Sequence, residues 1–245
     1  MKNPFNRPKI GILLDYVESG TFSTRPHYAL RQSYFDAVWH AHGLPVAIPY
    51  INDAKRDYLT YCDGLILPGG FYPFPTSIYG ESAKLGETIH PRYAFEQDFV
   101  QQALDADTPI LGICAGMQIL AASTGATLYR DVRNELPTNI DHLNAQPAES
   151  PAHEISIVEG THLNEILGTT KMVVNTAHKE ALKDNLDNLT ISATSEDGVI
   201  EGIELTEKRF CVGVQWHPEF FAFKNNPNFN LFTSLIKAAD LPSQP

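Results

Sequence analysis

The stretch TPILGICAGMQ, residues Thr108 to Gln118, decides how this chain is read. Its first half is an apolar run of the kind buried in a parallel sheet, and its second half has the composition of a helix. Between them stands Cys114, with Gly112 and Gly116 two residues away on either side. The pattern Gly-x-Cys-x-Gly is the thiol form of the nucleophile elbow, where a strand ends in a strained turn that exposes one side chain as a helix begins. Glycine at these places lets strand, helix and substrate approach where a Cβ would clash. A helix N-terminus also favours negative charge, which suits a thiolate. A core cysteine in an ordinary strand-to-helix turn has the same local pattern. The rest of the chain has to decide between the two.

Outward from the elbow, strand-like and helix-like segments alternate. Lys9–Leu14 reads as a buried strand, His27–Gly43 as a helix stopped by glycine, and Leu44–Tyr50 as a second strand. DAKRDYLTYC is helical, DGLILPGG is a strand ending in glycines, and RYAFEQDFVQQALDA is a helix leading into the elbow strand. This order implies a parallel sheet with helices on both faces, in which sites form beyond the carboxyl ends of the strands. The second half is richer in strands: HEISIVE, KMVVNTA, LTISATS, GVIEGIELT and RFCVGVQWHPE follow one another, and a helix of about 228–239 closes the chain. Phe71 to Pro91 holds too many prolines and glycines for a regular element and reads as a structured loop beside the supposed site. Its aromatic residues Phe71, Tyr72 and Phe74 suggest an apolar wall on the leaving-group side.

Composition narrows the function. The 245 residues, 43% of them hydrophobic, are enough for a substantial core, and the net charge of −11 without a basic run argues against a nucleic-acid partner. No apolar stretch reaches the length of a membrane span, and the N-terminal apolar run is too short for a signal peptide. Cys62, Cys114 and Cys211 are odd in number and form no CxxC, which argues against a disulfide framework and a cysteine zinc site. A reducing cytoplasm is expected, with no cofactor and no metal.

A thiol nucleophile needs a base. His217, in VGVQWHPE, follows an apolar strand and precedes Pro218, which stops it. Glu219 lies two residues on, on the same side of an extended chain, so its carboxylate can orient the imidazole. Gly70, at the end of LPGG, and Ala115, after the nucleophile, offer backbone N–H groups for an oxyanion. Trp216, Cys62 and Cys211 read as core residues.

With LPGG, GICAGMQ and GVQWHPE in this order, the chain resembles the class I glutamine amidotransferase superfamily. The stretches RPKIGI, YFDAVWHAHGLPVAIPY, SIYGE, FEQDFVQQAL, VVNTAHKEAL and ATSEDGVIEGIE extend the resemblance over nearly the whole chain, toward its γ-glutamyl hydrolase branch and especially the γ-glutamyl-γ-aminobutyrate hydrolases. That resemblance implies one domain over residues 1–245: an α/β flavodoxin-like three-layer sandwich with a mostly parallel central sheet and additional strands from the second half. It implies a Cys114–His217–Glu219 triad acting through a γ-glutamyl thioester, with Gln118, Asn175, Thr176 and His178 contacting a small γ-glutamyl substrate. The chain departs from the branch in having Ala115 where arginine is common, FYPFP in the loop after the glycines, and Lys179–Glu180 after His178. These departures bear on the leaving group. A glutaminase subunit feeding ammonia to a separate synthase and a non-catalytic binding relative are the competing readings, and a homodimer is left open.

Overall fold

The computed structural model describes residues 7–223 and 225–241. Residues 1–6, part of the stretch read above as no signal peptide, lie outside the described residues. In chain order the strands are β1 (Lys9–Leu13), β2 (Asp15–Val17), β3 (His27–Ala29), β4 (Leu44–Ile48), β5 (Gly64–Leu67), β6 (Ile110–Ile113), β7 (Leu128–Tyr129), β8 (His153–Ile157), β9 (Lys171–Val174), β10 (Ala181–Leu182), β11 (Thr190–Ser195), β12 (Ile200–Glu204) and β13 (Cys211–Val214). The helices are α1 (Gln32–His40), α2 (Lys55–Tyr61), α3 (Pro91–Asp105), α4 (Ala115–Ala122), α5 (Val132–Glu135), α6 (His162–Leu167) and α7 (Phe229–Ala239).

Nine strands form one sheet in the order β4-β1-β5-β6-β13-β12-β11-β8-β9. The five strands from β4 to β13 pair in parallel, and the four beyond them extend the sheet antiparallel. The central strands β5 and β6 are wholly buried and uniformly apolar, as strands covered on both faces must be. β4 carries Pro45 at the sheet edge, where a missing N–H costs no ladder bond. One face packs on Tyr34, Ala37 and Val38 of α1, Leu163 of α6 and Phe232 and Leu235 of α7. The other packs on Phe95 and Phe99 of α3 and Met117, Ile119 and Leu120 of α4. These two apolar layers make the expected three-layer sandwich.

The expected helix over 27–43 is shorter. His27–Ala29 pairs instead with Asp15–Val17, and helix begins only at Gln32, after Arg31 in extended conformation. The loop after LPGG contains one short 3₁₀ turn, Thr76–Tyr79, and no other regular element.

Strand register explains why distant motifs meet. Gly112 pairs with Leu67 on one side and Gly213 on the other, and Ile113 pairs with Val214. The residues just past these pairs, Pro68–Gly70, Cys114 and Gln215–His217, therefore leave the sheet side by side at its carboxyl edge.

Candidate active site

Cys114 is the turn between β6 and α4. Its φ of 53° and ψ of −111° lie where a residue with a Cβ is strained, and its N–H is fixed to the Val214 carbonyl at 2.8 Å. The strained conformation turns the side chain off the end of the sheet. Gly116 is required because the first turn of α4 runs against the Leu67 carbonyl, with no room for a Cβ. Gly69 is required for another reason: a Cβ there would stand 2.6 Å from His217 Cε1 and 3.3 Å from Cys114 Cβ. Gly69 thus backs the gap in which thiol and imidazole meet.

His217 Nδ1 and Glu219 Oε1 are 2.8 Å apart, and both side chains are buried. Burial alone would lower the His217 pKa, but the Glu219 carboxylate and the hydrogen-bonded Cys114 sulfur raise it to about 10. The site therefore favours an imidazolium facing the Cys114 sulfur. Tyr34 was not singled out in the sequence. Its hydroxyl accepts the Gly69 N–H at 2.9 Å and lies against Glu219, while burial first and the Glu219 charge next push its pKa well above the usual phenol range. It stays protonated. Arg31 adds a second group facing Glu219, with Nη1 3.9 Å from Oε1.

The Gly69 N–H is committed to Tyr34, which leaves the next amide, Gly70, and that of Ala115 at the start of α4 as the expected oxyanion donors. The loop that carries them is held from below by Arg92. This fully buried guanidinium donates to the Pro68 carbonyl and, at 3.0 Å, to the Gly69 carbonyl, and pairs with Glu96 at 2.8 Å and Asp15 at 3.3 Å. The Arg92–Glu96 pair is visible in the sequence as an i, i+4 pair. Its target is not.

The other residues named from sequence divide into two groups. Gln118 lines a cleft of about 420 Å³ together with Gly70, Phe71, Tyr72, Phe74, Tyr79, Arg130, Lys179 and Glu180. Its Nε2 donates to the Glu180 carbonyl at 3.0 Å and to Gln215 Oε1 at 3.1 Å. Asn175, Thr176 and His178 turn away from that cleft. Asn175 clamps the backbone of His217: its Oδ1 accepts the His217 N–H at 3.0 Å and its Nδ2 donates to the His217 carbonyl at 3.1 Å. Thr176 Oγ1 donates to the His142 carbonyl at 2.8 Å, and His178 is buried among His142, Glu180 and Glu201. A second hollow, also about 420 Å³, lies on the other side of Phe71 and is lined by Asp15, Leu30, Arg31, Gly69 and Gly70. The larger hollow of about 520 Å³ around Gln101, Ser123, Asp187 and Lys208 shares no residue with this constellation.

Trp216 is fully buried and donates to Asn228 Oδ1 at 2.7 Å, and Cys62 and Cys211 are buried free thiols whose pKa burial raises, that of Cys62 to about 11. All three are structural.

The peptidase C26 family model matches residues 8–219. The chain is 30% identical to the γ-glutamyl-γ-aminobutyrate hydrolase of Escherichia coli K12, covering 97% of this chain and 96% of that protein. It is 35% identical to protein NtpR of Enterococcus hirae over 84% of this chain and 87% of that one. Among solved structures, the glutaminase domain of Trypanosoma brucei CTPS with bound acivicin superposes with a TM-score of 0.64 at 18% identity, covering 97% of this chain and 96% of that one, which shows a shared fold. A family match running from β1 to Glu219, and a relative similar from end to end, lead to one conclusion: the chain belongs to the peptidase C26 family.

Proposed function

We propose that the protein is a cysteine-dependent hydrolase of γ-glutamyl amides, acting through Cys114, His217 and Glu219. The observation that carries this reading is the strained elbow cysteine facing an imidazole raised to about 10 by its carboxylate partner. The Cys114 thiolate attacks the γ-carbonyl carbon, and the Gly70 and Ala115 N–H groups stabilise the oxyanion. Collapse breaks the C–N bond as His217 gives its proton to the departing amine, leaving a γ-glutamyl thioester. His217 then takes a proton from water, which attacks the thioester and releases glutamate and the Cys114 thiolate.

The cleft chemistry fits the acyl half. A γ-glutamyl group ends in an α-ammonium and an α-carboxylate, and the cleft beside Gln118 presents the Glu180 carboxylate with the Arg130 and Lys179 cations. That revises the expected role of the loop: Tyr72 and Phe74 wall the cleft next to Gln118, and of these three aromatics Phe71 alone borders both hollows, beside Gly70. The amine would then leave toward Leu30, Asp15 and Arg31. A half-exposed guanidinium there can meet a carboxylate on the amine, so an amino acid leaving group fits better than the apolar one the FYPFP motif suggested.

Glutamate release by the purified chain alone, from a panel of glutamine, γ-glutamyl-aminobutyrate and γ-glutamyl-alkylamines, tests the reading. Turnover without a partner, with the carboxylate-bearing amine favoured, is expected. Hydrolysis restricted to glutamine and dependent on an added synthase would support the ammonia-supplying alternative instead.

A further inference from the structure

Away from the cleft, three imidazoles converge on one buried carboxylate. His153 Nε2 is 3.0 Å from Glu201 Oε1, and His142 Nδ1 and His178 Nε2 are each 3.5 Å from the same oxygen. The His142 ring lies 4.9 Å from that of His153 and 4.8 Å from that of His178, centroid to centroid. All four residues are buried, and His142 Nδ1, His153 Nδ1, His178 Nε2 and Glu201 Oε2 have no hydrogen-bond partner.

The outward nitrogens decide the state of the inward ones. His142 Nε2 is 2.9 Å from Asp197 Oδ2, and His178 Nδ1 is 2.9 Å from the Glu180 carbonyl. Each of these nitrogens faces an acceptor and must carry a proton. In the neutral tautomers, His142 Nδ1 and His178 Nε2 then aim lone pairs at a carboxylate, which is repulsive unless a cation stands between them. His142 and His178 are thus held as metal-binding histidines are, with the distal N–H donated to a carboxylate or a backbone carbonyl.

Charge balance separates a metal from protons. Glu201 is fully buried, and the enclosed Asp197 side chain faces His142 Nε2 at 2.9 Å and accepts hydrogen bonds from Ser195 Oγ and Thr138 Oγ1. Two carboxylates in a dry pocket need two positive charges. Two imidazolium rings would have to stand less than 5 Å apart, whereas one divalent cation among neutral rings supplies both charges at one point. Ligand atoms about 2.0–2.1 Å from a tetrahedral zinc are about 3.3 Å from each other; the three nitrogens lie 3.0 to 3.5 Å from Glu201 Oε1, and the ligand atoms of His142, His153 and Glu201 lie within 4.8 Å of one another, so a bound ion would draw the rings closer together.

We propose that His142, His153 and Glu201, with His178 as fourth donor, bind one divalent transition-metal cation, for which zinc is the probe. Glu201 comes from β12 and His153 from β8, while His142 and His178 lie in loops, and His178 also holds the Glu180 carbonyl that Gln118 binds from the cleft side. The ion would therefore fasten the antiparallel half of the sheet to the wall of the cleft without touching the reaction.

The test uses the full chain carrying Cys114→Ala, so that the elbow thiol cannot itself take the metal. After chelation and dialysis, calorimetric titration with Zn²⁺ should give one ion per chain, Co²⁺ should give the visible absorption of a tetrahedral site, and the unfolding midpoint should rise on addition of Zn²⁺. Glu201→Gln should lose stoichiometric binding, and Asp197→Asn should weaken it about 10- to 100-fold. Absence of stoichiometric Zn²⁺ and Co²⁺ binding by the Cys114→Ala protein overturns the proposal in favour of a protonated histidine network, whatever the folding of the cluster variants. Zinc binding that survives Glu201→Gln unchanged overturns it equally.

Discussion

Two buried histidine–carboxylate pairs sit on the same sheet and differ in what lies beyond the ring. At the elbow, His217 contacts Glu219 at 2.8 Å and its other side faces the Cys114 sulfur. In the antiparallel half, His153 contacts Glu201 at 3.0 Å, and beyond Glu201 stand two more imidazoles in a closed pocket. The pair is the same motif in both. One arrangement sets a thiol against an imidazole held by its carboxylate, and the other aims imidazole lone pairs at a buried carboxylate. A histidine beside a glutamate is therefore informative only together with its third neighbour.

The sharpest way to break the comparison is to remove the sulfur. Cys114→Ala should lower kcat by at least about a thousandfold, since triad nucleophiles act as a unit with their base, while circular dichroism remains that of wild type. Cys62→Ala and Cys211→Ala should keep activity and lose stability, because both thiols are buried core atoms. Activity above roughly a tenth of wild type in Cys114→Ala would remove the elbow from the mechanism.

The carboxylates should then separate the two sites. Glu219→Gln should cost kcat about 10- to 100-fold, less than His217→Asn, because glutamine still orients the ring, and should leave the unfolding midpoint nearly in place. Glu201→Gln should do the reverse, lowering the midpoint more than kcat. Equal effects at both positions would mean that the two pairs are not different in kind.

The imidazole also predicts a pH dependence of stability. With a folded pKa near 10 against an ordinary value of 6.5, protonated His217 stabilises the fold fully below about pH 6.5 and loses that contribution as pH rises through 10. Urea midpoints between pH 7 and 10 should fall in wild type, and the fall should be shallower in Cys114→Ala, where the sulfur partner is gone. Parallel curves would separate thiol from imidazole.

Smaller effects are expected from the supports. Asn175→Ala should lower kcat about 10- to 100-fold with little change in KM, because it frees the backbone of His217 rather than a substrate contact. A change confined to KM would return Asn175 to the list of substrate contacts. Phe71→Ala should shift the ratio of kcat/KM between two γ-glutamyl amides by about tenfold or less, as expected for one apolar contact. An unchanged ratio would take the border between the two hollows out of specificity.

The alternation of apolar strands and helices placed β1, β4, β5 and β6 within a few residues of where they lie, because each buries a continuous apolar run that has no other use. The same reading ran α1 back to His27, since the residues before Gln32 fit a helical pattern equally well. What claims them is pairing with Asp15–Val17, a contact between segments that carry no mutual signal in the chain. The elbow and the His-Pro-Glu turn were legible for a physical reason: strained turns and strand ends demand glycine and proline, which leave a mark in sequence. Asn175, Thr176 and His178 hold the backbone of His217, the His142 carbonyl and the Glu180 carbonyl, partners that the sequence could not show because a side chain's direction depends on which strand end it packs against.

The sequence by itself determined the layered α/β order and the position of the elbow cysteine, because both rest on local rules of burial and turn geometry. Only the tertiary structure decided that Tyr34 occupies the Gly69 amide, that Arg92 holds the glycine loop, and that His142, His153, His178 and Glu201 share one pocket. Those groups come from strands and loops far apart in the chain. Their chemistry exists only once sheet register has brought them within a few ångströms of each other.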